Sequence, residues 1–149
     1  MAAFLGVASV AEEALAAATI ETIIQLVAAA NHRVKILGWG IFFDGVSTTA
    51  EPIEVVLARQ TTAGTAAALT PVKVDDSIAD TLLTTAQQDF TVEPTTTDIL
   101  AVVEVHPQQG YQILYPLGQE LIIGGGDRVG LRATAPAVVN CRAVMYFEE

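Results

Sequence analysis

The sequence predicts an all-β protein, a sandwich or jelly roll of about eight strands, and two observations carry that reading. The first is the run from Arg33 to Gln60, RVKILGWGIFFDGVSTTAEPIEVVLARQ, which spells out two strands and a turn. Val34, Ile36, Gly38, Gly40 and Phe42 fall on one face, Asp44-Gly45 offers residues that tolerate the positive φ of a turn, and Ile53, Val55 and Leu57 alternate with Glu54 and Ala58 on the return. The second is recurrence: similar alternating segments, punctuated by Gly, Pro, Asn and Asp, fill most of the chain and leave little room for helix. At 149 residues the chain suits one domain, long enough to bury roughly two thirds of its unfolded surface.

Residues 1–18, MAAFLGVASVAEEALAAA, read as an N-terminal arm in front of a body that spans 19–149. Ser9 followed by Glu12 has capping-box spacing, and the Ala-rich run behind it predicts a short helix over about residues 10–18. Residues 19–28 fit helix and strand spacing alike. The β-branched content of Thr19, Ile20, Thr22, Ile23, Ile24 and Val27 favours strand, because stiff χ1 rotamers suit a pleated surface. In the strand from Arg33 to Asp44, Leu37, Trp39, Ile41 and Phe43 follow Arg33 and Lys35 on one face while Phe42 lies on the other, which predicts burial on both faces of its second half. Gly38 and Gly40 leave room for something to pack close to the backbone.

Residues 61–98 read as long connections with brief strands near 68–74 and 89–92. Asp98–His106 and Tyr111–Tyr115, joined by Pro107-Gln108-Gln109-Gly110, read as a hairpin. Gln119–Ile123 precedes the Gly124-Gly125-Gly126 triplet, and Val129, Leu131 and Ala133 then alternate with Arg128, Arg132 and Thr134. The last strand places Val139, Cys141, Ala143, Met145 and Phe147 inward, and Asn140, Arg142, Val144 and Tyr146 outward.

Composition narrows the function classes. The residues are 52% apolar and mean hydropathy is +0.47, yet no run approaches the roughly 18 apolar residues of a membrane helix, so a membrane partner is not expected and the apolar excess should be buried against other protein. Glu12, Glu13 and Glu21 interrupt the apolar N-terminal third, and no Lys or Arg precedes it, so neither a spanning helix nor a secretory signal is expected. Seven basic against seventeen acidic residues give a net charge of −10, which repels phosphates and argues against nucleic acid. The single cysteine, Cys141, sits at an apolar strand position and reads as a small buried hydrophobe.

No constellation for chemistry emerges. The glycine triplet lacks the following Lys-Ser or Lys-Thr and the helix that a phosphate cradle needs, so it reads as a loose turn. His32 and His106 lie far apart, without the clustered imidazoles of a metal-bearing jelly roll. Asp75-Asp76 and Asp44 lack interleaved calcium-ligand spacing and read as solvated loop charge. Ser9, Ser47 and Ser77 sit in no nucleophile-elbow context. The expectation is a protein that is not an enzyme, with no catalytic residue, no cofactor and no metal.

Two stretches carry a resemblance: LGWGIFFDGVSTTAEPIEVVLARQTTAGTAAALTPVKVDD and VEVHPQQGYQILYPLGQELIIGGGDRVGLRATAPAVVNCRAVMYFEE. Over about residues 19–149 the chain resembles the tumour-necrosis-factor-like jelly rolls that serve as trimeric decoration, or cement, proteins on the heads of tailed bacteriophages. The recurrent phrases are the Gly-Trp-Gly strand ending in Phe-Asp-Gly, the Arg-Gln-Thr-Thr-Ala-Gly corner, and the Gly-Gly-Gly-Asp-Arg to Thr-Ala-Pro strand. The resemblance implies a structural virion protein, assembled in the host cytoplasm, that sits on the outer capsid surface as a homotrimer bound to the major capsid protein. On that reading Phe4, Leu5 and Val7 of the arm touch the capsid, and Leu37, Trp39, Ile41 and Phe43 form the trimer interface. The alternative is a receptor- or carbohydrate-binding head of a phage tail or fibre, for which Tyr111 and Tyr115 near Gln108, Gln109 and Gln112 supply the aromatic and polar groups.

Overall fold

The computed structural model describes residues 3–45 and 51–149, and among them there is no helix. In chain order the strands are β1 (Leu5–Ser9), β2 (Glu13–Leu15), β3 (Ile20–Val27), β4 (Val34–Phe43), β5 (Ile53–Gln60), β6 (Thr65–Leu69) and β7 (Val72–Lys73). They continue as β8 (Thr85–Val92), β9 (Thr96–Val105), β10 (Gly110–Leu114), β11 (Leu121–Ile123), β12 (Arg128–Thr134) and β13 (Val139–Glu148). Thirteen described strands thus stand where about eight were expected, because the connections carry short strands of two to five residues, too brief to show a period.

The strands form two antiparallel sheets that pack face to face as a sandwich. One has the order β10-β4-β13-β1-β7, with β11 also on β4 and β2 also on β13; the other runs β6-β8-β3-β12-β5-β9. The core between them follows the alternation read from sequence. β13 contributes Val139, Cys141, Ala143, Met145 and Phe147, and β12 contributes Val129, Leu131 and Ala133, all buried. From β5 come Ile53, Val55 and Leu57.

Three local expectations are corrected. The helix over 10–18 is not formed: Glu13–Leu15 is a strand on β13, with Val139 opposite Leu15, and burial of Val10 and Leu15 overrides the Ala-rich propensity. Phe4 is buried, and Leu5–Ser9 pairs with β13 on one side and β7 on the other, so this part of the expected arm is integral to the sheet. The expected hairpin of Asp98–His106 with Tyr111–Tyr115 is not paired either, nor do the two strands of the Arg33–Gln60 run pair with each other. β4 and β5 lie in different sheets, as do β9 and β10. Alternation marks a strand without naming its neighbour. Here the 106–110 turn is tied to the end of β4, through Gly45 N–H to the Pro107 carbonyl at 2.7 Å and Phe43 N–H to the Gln109 carbonyl at 3.0 Å. Neither Asp44 nor Gly45 adopts positive φ; the glycines that do are Gly64, Gly118 and Gly126. Val46 to Ala50, including Ser47, lie outside the described residues.

Two β-bulges reset which side chains face the core. On β4 the register with β13 slips between Ile36, opposite Phe147, and Gly38, opposite Tyr146, so Leu37 is the extra residue. On β3 the register with β12 slips between Ile24 and Thr22, making Ile23 the extra residue and burying both Ile23 and Ile24.

Candidate functional site

The β4 bulge explains why that strand reads as apolar on both faces. Before it Val34 and Ile36 point into the sandwich, and after it Trp39, Ile41 and Phe43 do, so residues of both parities enter one core. Trp39 is 1% exposed; its Nε1–H donates to Tyr115 Oη at 3.0 Å, and its ring lies 5.3 Å from that of Tyr111 at 41°. Trp39, Ile41 and Phe43, expected at a trimer interface, are buried within the core of the single chain. Leu37 differs. The bulge turns it to the outer face of the seven-stranded sheet, where it is half-buried.

On that outer face lies a groove of about 600 Å³, the candidate site. Leu37 and Tyr146 line it from the sheet centre, Leu5 from β1, Val74 from beyond β7, and Leu114, Tyr115 and Leu117 from β10 and the loop after it. Its walls are unusually open to solvent for aliphatic groups: Leu117 is 95% exposed, Leu114 64% and Val74 61%. Gly6 lies in the lining, and a Cβ there would strike the ring of Phe147. The room that Gly38 and Gly40 leave is filled from within the chain, by Leu114 over the first and by Phe42 and Val144 over the second. The one charged side chain in the lining, Glu120, already accepts a hydrogen bond from Gly118 N–H at 2.7 Å.

Leu5 and Leu37, assigned to different contacts on sequence grounds, thus meet in one groove. Val7 is half-buried on the same sheet, with Tyr146 and Val72 as its cross-strand neighbours. Val74, Leu114, Leu117 and Tyr146 were not anticipated. The available signal was Leu117 in Pro116-Leu117-Gly118, an apolar residue at the tip of a turn. Of the residues weighed for sugar binding, Tyr115 and Gln112 line the groove, whereas Tyr111 packs half-buried against Trp39. Burial, partly offset by the Trp39 hydrogen bond, raises the Tyr115 pKa.

The six-stranded sheet treats its outer face differently. Gln25, Gln60 and Thr22 are buried there, joined by Gln25 Nε2–H to Gln60 Oε1 at 2.7 Å and Gln60 Nε2–H to Thr22 Oγ1 at 3.2 Å. Gly130 makes this possible, because any Cβ would occupy the space of the Gln60 amide. Thr22, beside the β3 bulge, gives its N–H and hydroxyl to the Glu93 carboxylate, at 3.0 and 2.6 Å to Oε2. The segments 61–64 and 93–95 close over this network through Thr95 N–H to Thr62 Oγ1 at 2.8 Å and Thr61 N–H to the Thr95 carbonyl at 2.9 Å.

At one end of the sandwich stands Glu13, whose pKa is pushed up to about 7, first by burial and then by the carboxylates of Asp89, Glu21 and Glu93. Its strand neighbour Cys141 has its thiol pushed up to about 12, chiefly by burial, which leaves it protonated and poorly nucleophilic. Asp75 folds back to accept Ser77 N–H at 2.9 Å and Ser77 Oγ–H at 2.6 Å, which lowers its pKa. No grouping of three or more His, Cys, Asp or Glu that could hold a metal ion occurs among the described residues. Comparison with family models, curated proteins and solved structures finds no match to this chain.

Proposed function

We propose that this chain is a structural virion protein, a homotrimeric decoration or cement protein on the head of a tailed bacteriophage, and that its sandwich is a TNF-like jelly roll. One observation carries the reading: on a chain of net charge −10, the outer face of one sheet bears an apolar groove in which the one charged residue among the described lining, Glu120, is already hydrogen-bonded. Copies of so acidic a chain repel one another, and they associate with least electrostatic cost where charge is sparse and apolar surface is available. Leu37, Leu114 and Leu117 form that contact, in place of Trp39, Ile41 and Phe43. A closed ring of such copies gives a compact, chemically inert body suited to covering seams between capsid subunits.

Light scattering and sedimentation of the purified protein should give three times the 15.7 kDa chain mass at micromolar concentration, and Leu114→Glu with Leu117→Glu should give the single-chain mass. A monomeric wild type counts decisively against the proposal. Virions of the encoding phage, examined by cryo-electron microscopy, should carry the trimer on the outer capsid surface. The second reading, a carbohydrate-binding head, draws on Tyr115, Tyr146 and Gln112 in the same groove. A glycan that binds the wild type and is lost with Gln112→Ala would replace the first reading with the second.

A further inference from the structure

A separate surface, on the other sheet, remains without a partner. β9 is the edge strand of the six-stranded sheet: β5 pairs along one side, and no described strand pairs along the other. It is ten residues long, contains no Pro and no Lys, and keeps Ile99 at 58% and Val102 at 51% exposure. A long apolar edge is a template for another strand, and folded proteins normally block it with lysine, proline or a covering segment. Among the described residues none of those three is present on β9, whose one such device is bulging: its register with β5 slips at Leu100 and again between Ile99 and Thr96, while 101–105 pairs without a break.

Its charges are arranged at the ends. Residues 99–103, Ile-Leu-Ala-Val-Val, are uncharged, Asp98 precedes them and Glu104 follows. Glu104 is directly opposite Glu54 of β5, and both are exposed. Facing like charges across a ladder is unfavourable, and these carboxylates are not neutralised: among the described residues the ion pairs are Lys35–Glu148 and Arg142–Glu12. The acids forbid one obvious occupant. β9 laid antiparallel on a second β9 would bring Asp98 and Glu104 of each copy toward acids of the other, on top of −10 per chain.

We infer that the free edge of β9 is a strand-acceptor site for an extended segment of another protein, apolar and β-branched at its centre and carrying Lys or Arg at its ends. Main-chain hydrogen bonds to the open edge hold the segment, Ile99 and Val102 cover its central side chains, and Asp98 with the Glu54–Glu104 pair engages the terminal cations. The acids thus exclude a second copy and select a basic-ended strand.

The test uses the full chain and a fluorescent peptide, Lys-Thr-Val-Thr-Val-Thr-Val-Arg, with anisotropy for affinity and hydrogen exchange for location. Saturable binding is expected, with slowed exchange confined to β9 amides. Replacing the peptide's terminal cations by Glu should weaken binding about tenfold or more, since two cross-strand charge pairs are lost and two repulsions gained. N-methylation of alternate peptide amides on the pairing side should abolish it. In the chain, Glu54→Lys with Glu104→Lys, both at exposed positions that leave the fold intact, should reverse the preference in favour of the Glu-ended peptide. Equal binding of both peptides, retention by the N-methylated peptide, protection elsewhere than β9, or no binding at millimolar peptide would each overturn the inference. So would β9 amides that are protected in the chain alone and lose that protection on dilution, because the edge would then be paired to a second copy. Trimer formation through the groove is read separately, by mass, and neither result decides the other.

Discussion

The two outer faces of this sandwich answer the same physical problem in opposite ways. Over the six-stranded sheet, polar side chains lie buried and largely bonded: Thr22, Gln25 and Gln60 bond one another and Glu93, beneath the closed 61–64 and 93–95 segments, with Gln25 Oε1 left without a partner. Over the seven-stranded sheet, apolar side chains stand in solvent around the groove, and Leu114 and Leu117 are left largely uncovered by the described residues. Buried polar groups bonded in this way resist exchange of partners, because every broken bond leaves a desolvated group behind. An open apolar groove gains free energy from any surface that fits it. The first face is largely closed by folding; the second stays open to solvent.

Substitutions at graded depth sharpen this contrast. Trp39→Ala, beneath the floor of the groove, should cost about 3–5 kcal/mol in chemical denaturation, since the indole is buried and a cavity replaces it. A loss below ~1 kcal/mol would mean that Trp39 is not core. Glu93→Ala should cost about 1–3 kcal/mol by stranding the Thr22 N–H and hydroxyl, and hydrogen exchange should accelerate at Thr22 before it does in the groove strands.

Glu13→Gln acts in the opposite direction and depends on pH. Burial and the neighbouring acids raise the folded pKa from 4.5 to about 7, so the folded state binds the proton more tightly than the unfolded chain. The stability this confers is fully present below pH 4.5 and is lost as pH rises through about 7. Glutamine mimics the protonated acid, so the variant should match the wild type at pH 4. At pH 8 it should gain about 1 kcal/mol, a figure reduced from the full shift because Glu13 is only half-buried. A variant less stable than the wild type at pH 8 would mean that ionised Glu13 is stabilised by a partner. The smallest effect on stability is expected in the groove itself: Leu117→Ser should stay within about 0.5 kcal/mol of the wild-type monomer fold while lowering the apparent mass in sedimentation. If it unfolded the chain instead, the groove would be core rather than docking surface.

Most strands were legible because their signal is local. β12 and β13 place their apolar residues inward as the alternation requires, and β3 forms where β-branched content outweighed a helical spacing. What stayed hidden depends on partners far along the chain. The bulge at Leu37 exists only relative to β13, and without it no reading of β4 alone can separate Leu37 from Trp39. For Glu13–Leu15, capping spacing and alanine content describe an isolated segment, whereas pairing with Val139–Cys141 decides its state. The groove was half legible: Leu5 and Leu37 were singled out, but their convergence with Leu114, Val74 and Leu117 is a property of sheet order, which alternation does not encode.

Phe4 and Glu149 exchange two backbone hydrogen bonds of 3.0 Å, and β13 sits between β4 on one side and β1 with β2 on the other. During translation β13 therefore leaves the ribosome after every strand it pairs with. Until it does, β1 and the inner edge of β4 have been synthesised without the strand that pairs with them. Loop-closure entropy must be met before so distant a pairing is rewarded, which places folding toward the slow, millisecond-to-second end for domains of this size. The nascent chain is thus most prone to aggregate before β13 has emerged, and holding its exposed strands apart during that interval is a task for chaperones.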